Sequence, residues 1–506
     1  MLTGKSRTQK TIINTAAGVI NRFCTIILNF LLRTVFIYTL GVQYVGVSSV
    51  FSDILTILSV SELGISTAIA TALYSPLKTE DKDHIRRLMS FYRKAYRYIA
   101  VAVAVIGIMM LPALKWFIKD VPDIKEDIRV IFSLYIVKTA ISYLLIYKAT
   151  ILVADQKQYI VKGLETICTV VRYIAEGVIL LVCQNYMLYL VVEVAATLLQ
   201  NYAVTSEAQK QYPYAFTGGA KLSKEERNSL LRNIKGLATF QISAAVGNSI
   251  DNLLVSGFIS TTVVGVLSNY TMIRKQAEEL IKQFFAAVTP SIGSLAVEKD
   301  PKKQTEVFKR LFYISFVIAN FCGASLYVLL NPFIKLWLGE DFLLENNIVF
   351  ILVFDFFLYI LLQAVASFRT ANGLFVKGQY RPLVTAVLNV ILSVFLIKKY
   401  GIWGTIFATV LCRLLTQWYD PYILYRNVFK ESFTKFYVQY WKYIFLFLSG
   451  CLLTDRTAAM ICMKNDYLNA GYRLLCCLII PNLWVILFTF WTSECKFFIK
   501  LFRRGK

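Results

Sequence analysis

The sequence predicts an all-α polytopic membrane protein with about fourteen transmembrane helices. Three observations predict this class. Hydrophobic residues make up 57% of the chain and charged residues only 17%, and the mean hydropathy is +0.57. Apolar runs of about 18 residues or more, each long enough to cross a bilayer, recur from one end of the chain to the other. A soluble protein of 506 residues would not have this composition.

The apolar runs divide the chain into spans joined by short loops. We expect spans at residues 11–40, 44–74, 91–118, 128–153, 158–183, 186–205, 229–259, 263–290, 307–337, 345–372, 379–399, 402–426, 436–457 and 468–492. They predict an N-terminal six-helix bundle at 1–205, a polar cytoplasmic linker at 206–228, a C-terminal six-helix bundle at 229–430, and two additional helices with a basic tail at 431–506.

Lysine and arginine residues are concentrated in alternate loops, which accounts for the net charge of +23. The loops at 78–97, 210–235 and 299–310 are basic, whereas the connections at 41–44 and 184–185 carry no charge. The positive-inside rule therefore predicts that both termini are cytoplasmic and that little protein lies on the opposite side. Because the charge follows this membrane pattern, nucleic acid is not expected as a partner.

No motif indicates catalysis or a cofactor. The ten cysteines are scattered through apolar segments without CxxC or His-paired spacing, so we interpret them as small buried hydrophobic residues. The sequence contains no Walker, GxSxG or HExxH motif. We therefore expect no catalytic residue, no metal site, no cofactor and no enzymatic activity.

An internal repeat relates the two halves of the chain. The tripeptide Val-Gly-Val occurs at 45–47 and again at 264–266, a separation of 219 residues, and Gln-Tyr occurs at 158–159 and at 379–380, a separation of 221. A nearly constant offset over this distance predicts two six-helix units. Because six is an even number, both copies have the same orientation in the membrane. Parallel repeats of this kind surround a central cavity that contains the substrate path.

The first span carries a polar stripe on an otherwise apolar helix. At about 100° per residue, the polar and small residues of this span fall within roughly 80° of one another. They are Gly18, Arg22, Thr25, Asn29 and Arg33. A buried arginine is tolerated in a bilayer only where it faces protein or water, so we expect the stripe to line a wet pathway. The repeat-related positions of span 7 form a neutral stripe of Gln241, Asn248 and Asn252.

Two interpretations of the cationic stripe are open. Arg22 and Arg33, with Asn29 between them, are candidates for contacting an anionic substrate, because a guanidinium group suits phosphate oxygens. Alternatively, Arg33 extends to the outer interface and Arg22 pairs with Asp53 or Glu62 of the second span.

Three acidic residues are candidates for binding a coupling cation or proton. Asp53 and Glu62 lie on span 2, and Asp251 lies on span 7 beside Asn252. Intramembrane carboxylates are functional candidates by default because their burial is costly.

Span 8 carries five charged residues near its middle, within an arc of about 140°. They are Arg274, Lys275, Glu278, Glu279 and Lys282. Arg274 can pair with Glu278, and Lys275 with Glu279, because each pair is four residues apart. The span is therefore either a self-neutralised polar face packed on cytoplasmic protein, or a cavity wall on which Arg274 and Lys275 contact the substrate.

Other intramembrane charges are less informative. The Arg172–Glu176 pair in span 5 has i,i+4 spacing, which favours a structural role. Lys138, Glu193, Asp355 and Arg413 are single charges on their spans and are candidates for function only by default.

An ordered set of short motifs resembles the polysaccharide transporter family of Wzx-type lipid-linked oligosaccharide flippases. The motifs are RTVFIYTLG (33–41), VG (45–46), ELGI with the following small residues (62–73), YRKAY (92–96), ADQK (154–157), DN (251–252), SNY (268–270), LNPF through WLG (330–339) and DPY (420–422). They cover most of residues 10–430. The RTANG stretch at 369–373 and the charges of span 8 depart from the family pattern.

The resemblance implies the multidrug/oligosaccharidyl-lipid/polysaccharide exporter fold, with two six-helix bundles around a cavity and two extra helices. It also implies flipping of an undecaprenyl-pyrophosphate-linked oligosaccharide across the bacterial cytoplasmic (inner) membrane, for capsule, O-antigen or other lipopolysaccharide and exopolysaccharide assembly. Cationic cavity residues are expected to hold the pyrophosphate, a role that suits Arg22 and Arg33. The implied partners are the polyprenyl-pyrophosphate-linked oligosaccharide, the lipid bilayer, and the polysaccharide polymerase and chain-length machinery.

Two rival functions are open at this point. A multidrug or cation antiporter of the same fold would favour an acidic cavity, whereas the stripe on span 1 is cationic. A membrane glycan polymerase or ligase would need catalytic residues in a sizeable outer loop, and the largest candidate, residues 454–468, is short.

Overall fold

The structure is a computed structural model that describes residues 7–59, 64–120, 122–217, 221–298, 300–374, 378, 380–461 and 465–504. Every regular element in these ranges is a helix. The all-α polytopic class predicted from the hydropathy is therefore confirmed. The chain divides into two compact units, Met1–Gly265 and Val266–Lys506, and each is described by itself below. The predicted boundaries at 205, 228 and 430 remain predictions.

Unit 1 contains ten helices, several of them long enough to cross a bilayer. They are α1 (Arg7–Leu40), α2 (Val42–Leu58), α3 (Ile65–Lys78), α4 (Lys82–Met110), α5 (Leu114–Phe117), α6 (Ile128–Ile146), α7 (Ala149–Ala154), α8 (Gln158–Cys183), α9 (Tyr186–Gln211) and α10 (Lys224–Phe258). The start of α10 has a capping box, in which Ser223 and Glu226 satisfy each other's backbone N–H groups.

Unit 2 contains most of α11, which begins before the division, and eight further helices. They are α11 (Thr261–Val297), α12 (Pro301–Leu338), α13 (Asn346–Leu361), α14 (Gln363–Ala371), α15 (Arg381–Thr416), α16 (Tyr419–Leu424), α17 (Phe433–Met460), α18 (Asp466–Thr489) and α19 (Ser493–Arg504). A short π-helical segment, Tyr425–Phe429, connects α16 to the turn before α17.

Ten helical segments within the described residues are long and apolar enough to cross a membrane. One of them, Arg381–Phe429, contains both predicted spans at 379–399 and 402–426. The predicted spans at 44–74, 229–259 and 436–457 correspond to α2, α10 and α17, which are helical but are not among the ten. Within the described residues, each predicted span therefore overlaps one or more helices.

One predicted span is divided in the structure, and one predicted break between spans is found at a glycine. The predicted span 44–74 is divided into α2 and α3, and α3 begins after Gly64, whose φ of 114° is left-handed. The predicted break near residue 400 is present, because α15 consists of two helical stretches joined at Gly401, whose φ of 58° and ψ of −138° are not helical. Hydropathy does not detect the start of α3, because leucine and isoleucine flank Gly64 in the sequence.

The core of unit 1 lies between α3, α4 and α7. Tyr92 and Tyr96 of α4 are fully buried, and their hydroxyl groups lie 2.7 Å and 2.6 Å from Ser66 Oγ. Tyr92 also hydrogen-bonds Thr150 across 3.0 Å. Satisfying these hydroxyl groups allows two large tyrosines to be buried without leaving unpaired polar atoms.

The core of unit 2 is aromatic. It includes residues of α17 and α18, the two helices that follow the second predicted repeat. Phe316 of α12 stacks on Tyr443 of α17 with ring centroids 4.0 Å apart, and Phe357 of α13 stacks on Phe447 of α17 at the same separation. Gly323 of α12 allows Phe447 to approach, since an added Cβ would lie 2.8 Å from its ring. The helix α17 is therefore an integral part of unit 2.

Candidate functional site

The cationic stripe lies on one uninterrupted helix, α1, between a packed face and an exposed face. Leu32 and Phe36 are buried, whereas Ile27 and Leu31 are more than half exposed. The stripe residues that were predicted to contact a substrate are half-buried; they are Arg22, Asn29 and Arg33. The packed face contacts α8, where Asn21 donates to Thr166 Oγ1 at 2.8 Å. The stripe therefore borders the packed side of α1.

The spacing of the stripe limits what one ligand can contact. Arg22 and Arg33 are eleven residues apart, which is about 16 Å along a helix axis. Asn29 and Arg33 are one turn apart, at about 6 Å. A single phosphate-sized group can therefore contact Asn29 and Arg33 together, whereas Arg22 belongs to a second position along the same face.

The repeat-related stripe on α10 contributes to a bridge within unit 1. Asn252 Nδ2 donates to Asp53 Oδ2 of α2 at 2.7 Å. This brings together one predicted substrate-contact residue and one predicted coupling-ion residue. Asn252 is the repeat equivalent of Arg33. The position that holds a cation on α1 therefore holds a neutral amide on α10, and this amide is bound to the Asp53 carboxylate of α2.

The other candidates on these helices differ in how far the structure describes them. Gln241 and Asp251 are half-buried on α10. The side chain of Asn248 and the whole of Glu62 lie outside the described residues, so their predicted roles stay predictions.

The two Val-Gly-Val repeats contact each other reciprocally. An added Cβ at Gly46 of α2 would lie 1.9 Å from the carbonyl oxygen of Thr261, and an added Cβ at Gly265 of α11 would lie 2.3 Å from the carbonyl oxygen of Val42. Residues 42 and 261, like residues 46 and 265, are related by the offset of 219. Only glycine allows the two backbones to approach so closely.

Hydrogen bonds to backbone carbonyl groups hold the end of α10 against the segment that follows α5. Lys119 donates its backbone N–H to the carbonyl oxygen of Ser256 at 3.2 Å and its Nζ to the carbonyl oxygen of Phe258 at 2.9 Å. Gly257 lets this segment pass close to the Trp116 carbonyl, since an added Cβ would lie 3.0 Å from that oxygen. These contacts and the glycine contact join the ends of α2, α10 and α11 that the sequence predicts to be extracytoplasmic.

The charges of α11 are neutralised by residues of other helices as well as their own. Arg274 pairs with Glu278 at 3.3 Å, as the spacing predicts, and also with Asp355 of α13 at 2.6 Å. Asp355 accepts a second ion pair from Arg413 of α15. Arg274 therefore braces α11 against α13, and its predicted role in substrate contact remains only a proposal.

The predicted pairing of Lys275 with Glu279 is wrong. Glu279 pairs with Lys282 at 2.7 Å, whereas Lys275 is exposed. Lys282 also lies over the ring of Tyr359 with its Nζ 5.1 Å from the centroid. Both spacings are compatible with helical pairing, and the cation–π contact with α13 favours Lys282.

Two ion pairs of unit 1 neutralise intramembrane charges. One joins two helices and could not be predicted from sequence spacing, and the other lies within one helix and was predicted. Lys138 of α6 donates to Glu193 of α9 at 2.7 Å, although the residues are 55 positions apart. Arg172 pairs with Glu176 on α8 at 3.6 Å, as predicted. The Lys138–Glu193 bridge therefore neutralises two intramembrane charges of unit 1.

A group of tyrosines near α2 was not identified from the sequence. Tyr186 of α9 lies 2.8 Å from Ser48 Oγ and 3.4 Å from the Tyr135 hydroxyl. Its ring contacts Tyr44 and Phe36 edge-on, with centroids 4.9 Å and 5.8 Å apart. The signal that could have found this group is the concentration of 30 tyrosines in an apolar chain, because buried tyrosines seek hydrogen-bond partners.

Several motifs behind the family resemblance meet in space and have structural roles. Tyr270 donates to Asn331 Oδ1 at 2.6 Å, which joins the SNY and LNPF motifs. Asp155 of the ADQK motif accepts from the Tyr212 hydroxyl at 2.5 Å and pairs with Lys157 at 2.9 Å. These contacts fix helix ends and turns, so the motifs describe the architecture more than the substrate.

Comparison with solved structures decides the fold. The structure of the lipid II flippase MurJ in an inward closed conformation matches 94% of this chain and 99% of that chain, with a TM-score of 0.67 and 13% sequence identity. The chain has the MurJ fold. An inward-facing multidrug resistance MATE transporter of the MOP superfamily matches 78% of this chain and 92% of that chain, with a TM-score of 0.61 and 15% identity.

A second MATE transporter, VcmN of Vibrio cholerae, matches 84% of this chain and 100% of that chain, with a TM-score of 0.56 and 12% identity. No protein-family model matches the sequence, and no curated protein matches it. These three structural neighbours are transporters or flippases, and identities this low establish the fold alone.

Proposed function

We propose that this chain is a flippase that translocates undecaprenyl-pyrophosphate-linked oligosaccharide repeat units across the bacterial cytoplasmic membrane by alternating access. The observation that carries the proposal is the match with a lipid II flippase over nearly the full length of both chains. The multidrug transporters match a smaller share of this chain, 78% and 84%. The flippase therefore accounts for more of the chain.

The stripe on α1 supplies the chemistry for a pyrophosphate headgroup. Arg33 offers a planar set of N–H donors and Asn29 offers an amide one turn away, so both can reach one phosphate group. A cation in a membrane interior attracts an anion strongly because the effective dielectric constant is low. Arg22, about 16 Å further along α1, would hold the headgroup at a second position.

The partners and location follow from the same proposal. The polyprenyl tail would remain in the bilayer while the headgroup moves, with both chain termini in the cytoplasm. A polymerase and its chain-length machinery would consume the translocated repeat unit, and this consumption would make transport one-way.

The proposal is tested by substitutions on the stripe. The full chain is reconstituted in vesicles with a fluorescent polyprenyl-pyrophosphate-linked oligosaccharide, and headgroup accessibility to a membrane-impermeant quencher is followed in time. We expect Arg33→Ala to slow translocation by about tenfold or more, because a charge-assisted contact is lost. Arg33→Lys should restore part of the rate by keeping the charge.

The matched control is Arg129→Ala, which removes an exposed arginine at the start of α6. This variant should translocate at the wild-type rate. If Arg33→Ala and Arg22→Ala both reconstitute normally and translocate as fast as Arg129→Ala, the assignment of the stripe to the headgroup is wrong.

A further inference from the structure

The last helix of the chain, α19, separates apolar from basic residues around its axis. At 100° per residue, Cys495, Phe498 and Ile499 fall within an arc of about 100°. Lys496 and Lys500 fall within about 40° of each other, and this basic face is centred roughly 130° from the apolar arc. Cys495 is buried, whereas both lysines are exposed. A helix with this separation, and with lysines on its polar face, is typical of helices that lie in a membrane surface.

The apolar arc of α19 packs on α12. The ring of Phe498 stacks on Tyr313 of α12 with centroids 6.1 Å apart, and Ile499 also packs against the core of unit 2. Beside them, the Arg310 guanidinium of α12 lies over the ring of Phe497, 3.6 Å from its centroid. These contacts fix the rotation of α19 about its own axis, and they leave the basic face outside the contact with α12.

The same contacts place α19 at the end of a membrane-spanning segment. The preceding helix, α18, is long and apolar enough to cross a membrane, and Oγ1 of its last residue, Thr489, lies 2.9 Å from the Tyr313 hydroxyl. Tyr313 is six residues, or about 9 Å, beyond residue 307, where a span is predicted to begin. Trp491, between α18 and α19, is 78% exposed, and tryptophan is enriched at membrane–water interfaces. The helix α19 therefore lies at the interface on the side that the sequence predicts to be cytoplasmic.

The basic face is not neutralised within the part of the chain that the structure describes. The Nζ atoms of Lys496 and Lys500 form no ion pair with any described residue. The carboxylates of Glu306 and Glu494 do not compensate them. Glu306 pairs with Arg310 of its own helix, and Glu494 falls about 140° from the centre of the basic face on the helical wheel. The exposed surface of α19 therefore carries unbalanced positive charge.

We propose that α19 rests on the surface of the bilayer and binds the headgroups of anionic phospholipids through Lys496 and Lys500. A lysine ammonium group is a compact charge on a flexible stem, so it reaches the phosphate of a mobile lipid without a preformed cavity. Basic residues beside a membrane span are attracted to anionic lipids, and each one strengthens binding by about fivefold. The sequence adds Arg503, whose position on the helical wheel lies about 20° from that of Lys496. This surface is separate from the proposed transport pathway, since none of its residues lies on α1 or α10.

The test measures lipid binding to the purified full chain in detergent micelles by native mass spectrometry. Phosphatidylglycerol and phosphatidylcholine with the same acyl chains are titrated in separate arms, so that the difference in affinity reports the headgroup charge. Two lysines at about fivefold each predict that the first phosphatidylglycerol binds about 25-fold more tightly than the first phosphatidylcholine. This preference should shrink at high ionic strength, because salt screens exposed charges.

Three variants make the result specific to α19. The double variant Lys496→Gln/Lys500→Gln keeps good helix formers at both positions and should bring the preference for phosphatidylglycerol close to one. Lys496→Arg/Lys500→Arg keeps both charges and should retain the preference. The matched control is Lys210→Gln/Lys221→Gln, which removes two exposed lysines from a loop that the sequence also predicts to be cytoplasmic. The control should bind phosphatidylglycerol as the wild type does.

Hydrogen–deuterium exchange in nanodiscs locates the contact on the chain. The amide groups of 493–500 should exchange more slowly when phosphatidylglycerol replaces part of the phosphatidylcholine, because headgroup contacts stabilise the folded helix against local opening. The Lys496→Gln/Lys500→Gln chain should show the same exchange in both lipid compositions.

The proposal is overturned if the wild-type chain binds the two lipids equally, or if Lys496→Gln/Lys500→Gln keeps the wild-type preference. An equal loss of preference in the matched control would overturn it too, because the response would then report general surface charge. A dimer in the mass spectra that dissociates only in Lys496→Gln/Lys500→Gln would also contradict it, by assigning the basic face to a second copy of the chain.

Discussion

The close contact between Gly46 and Gly265 makes a quantitative prediction about α2 and α11. In Gly46→Ala the new methyl group would lie 1.9 Å from the Thr261 carbonyl oxygen, whereas ordinary van der Waals contact begins at 3.4 Å. The two backbones must therefore separate by about 1.5 Å, and neither can rotate away as a flexible side chain would. Forced overpacking of this kind costs about 1–3 kcal/mol.

That cost should appear as local opening of the contact. At about 1.4 kcal/mol per factor of ten, the open population should rise by roughly 5- to 150-fold. Hydrogen–deuterium exchange measured by mass spectrometry reports this population through the amide groups of 42–48 and 260–266. Exchange in both segments should accelerate together, because each glycine contacts the backbone of the other segment.

The matched control is Gly163→Ala in α8, where an added Cβ meets nothing within 4 Å. This variant should stabilise α8 by about 0.5–1 kcal/mol and leave exchange at 42–48 and 260–266 unchanged. Wild-type exchange rates in both segments of Gly46→Ala would refute the reasoning, because the glycine contact would then not restrain either helix.

Three further predictions concern charged residues. Asp355→Asn should destabilise unit 2 by about 3–5 kcal/mol, seen as a lower thermal midpoint, because Arg413 loses its buried partner; an unchanged midpoint would contradict this. In a double-mutant cycle, Lys138→Met and Glu193→Gln should couple by about 0.5–3 kcal/mol, whereas additive effects would show that their 2.7 Å contact contributes no stability. Hydrogen bonding from the Ser223 backbone N–H lowers the pKa of Glu226, so its stabilising contribution should be complete above the ordinary glutamate pKa of about 4.3 and be lost as the pH falls through the lowered folded-state value. Glu226→Gln should flatten this part of a pH–stability curve.

Most of the long helices could be predicted from sequence because they contain long apolar runs. The break between α2 and α3 could not, since Gly64 is flanked by leucine and isoleucine in the sequence. Its left-handed φ of 114° is a backbone property that a hydropathy window does not contain. The repeat was more informative, because the offset of 219 relates residues that contact each other in the structure.

The charged residues show the limit of sequence spacing. The Arg274–Glu278 pair was predicted, because both residues lie on one helix four positions apart. The second partner of Arg274, Asp355, lies 81 positions away on α13, and only the packing of unit 2 brings the two together.

The most direct test of the proposed function is transport by the wild-type chain itself. Proteoliposomes containing the purified chain should move a fluorescent undecaprenyl-pyrophosphate-linked oligosaccharide between leaflets faster than protein-free vesicles do, and should not expel an organic cation such as ethidium. Efflux of ethidium without movement of the lipid-linked oligosaccharide would contradict the proposal and assign the chain to the multidrug branch of the same fold.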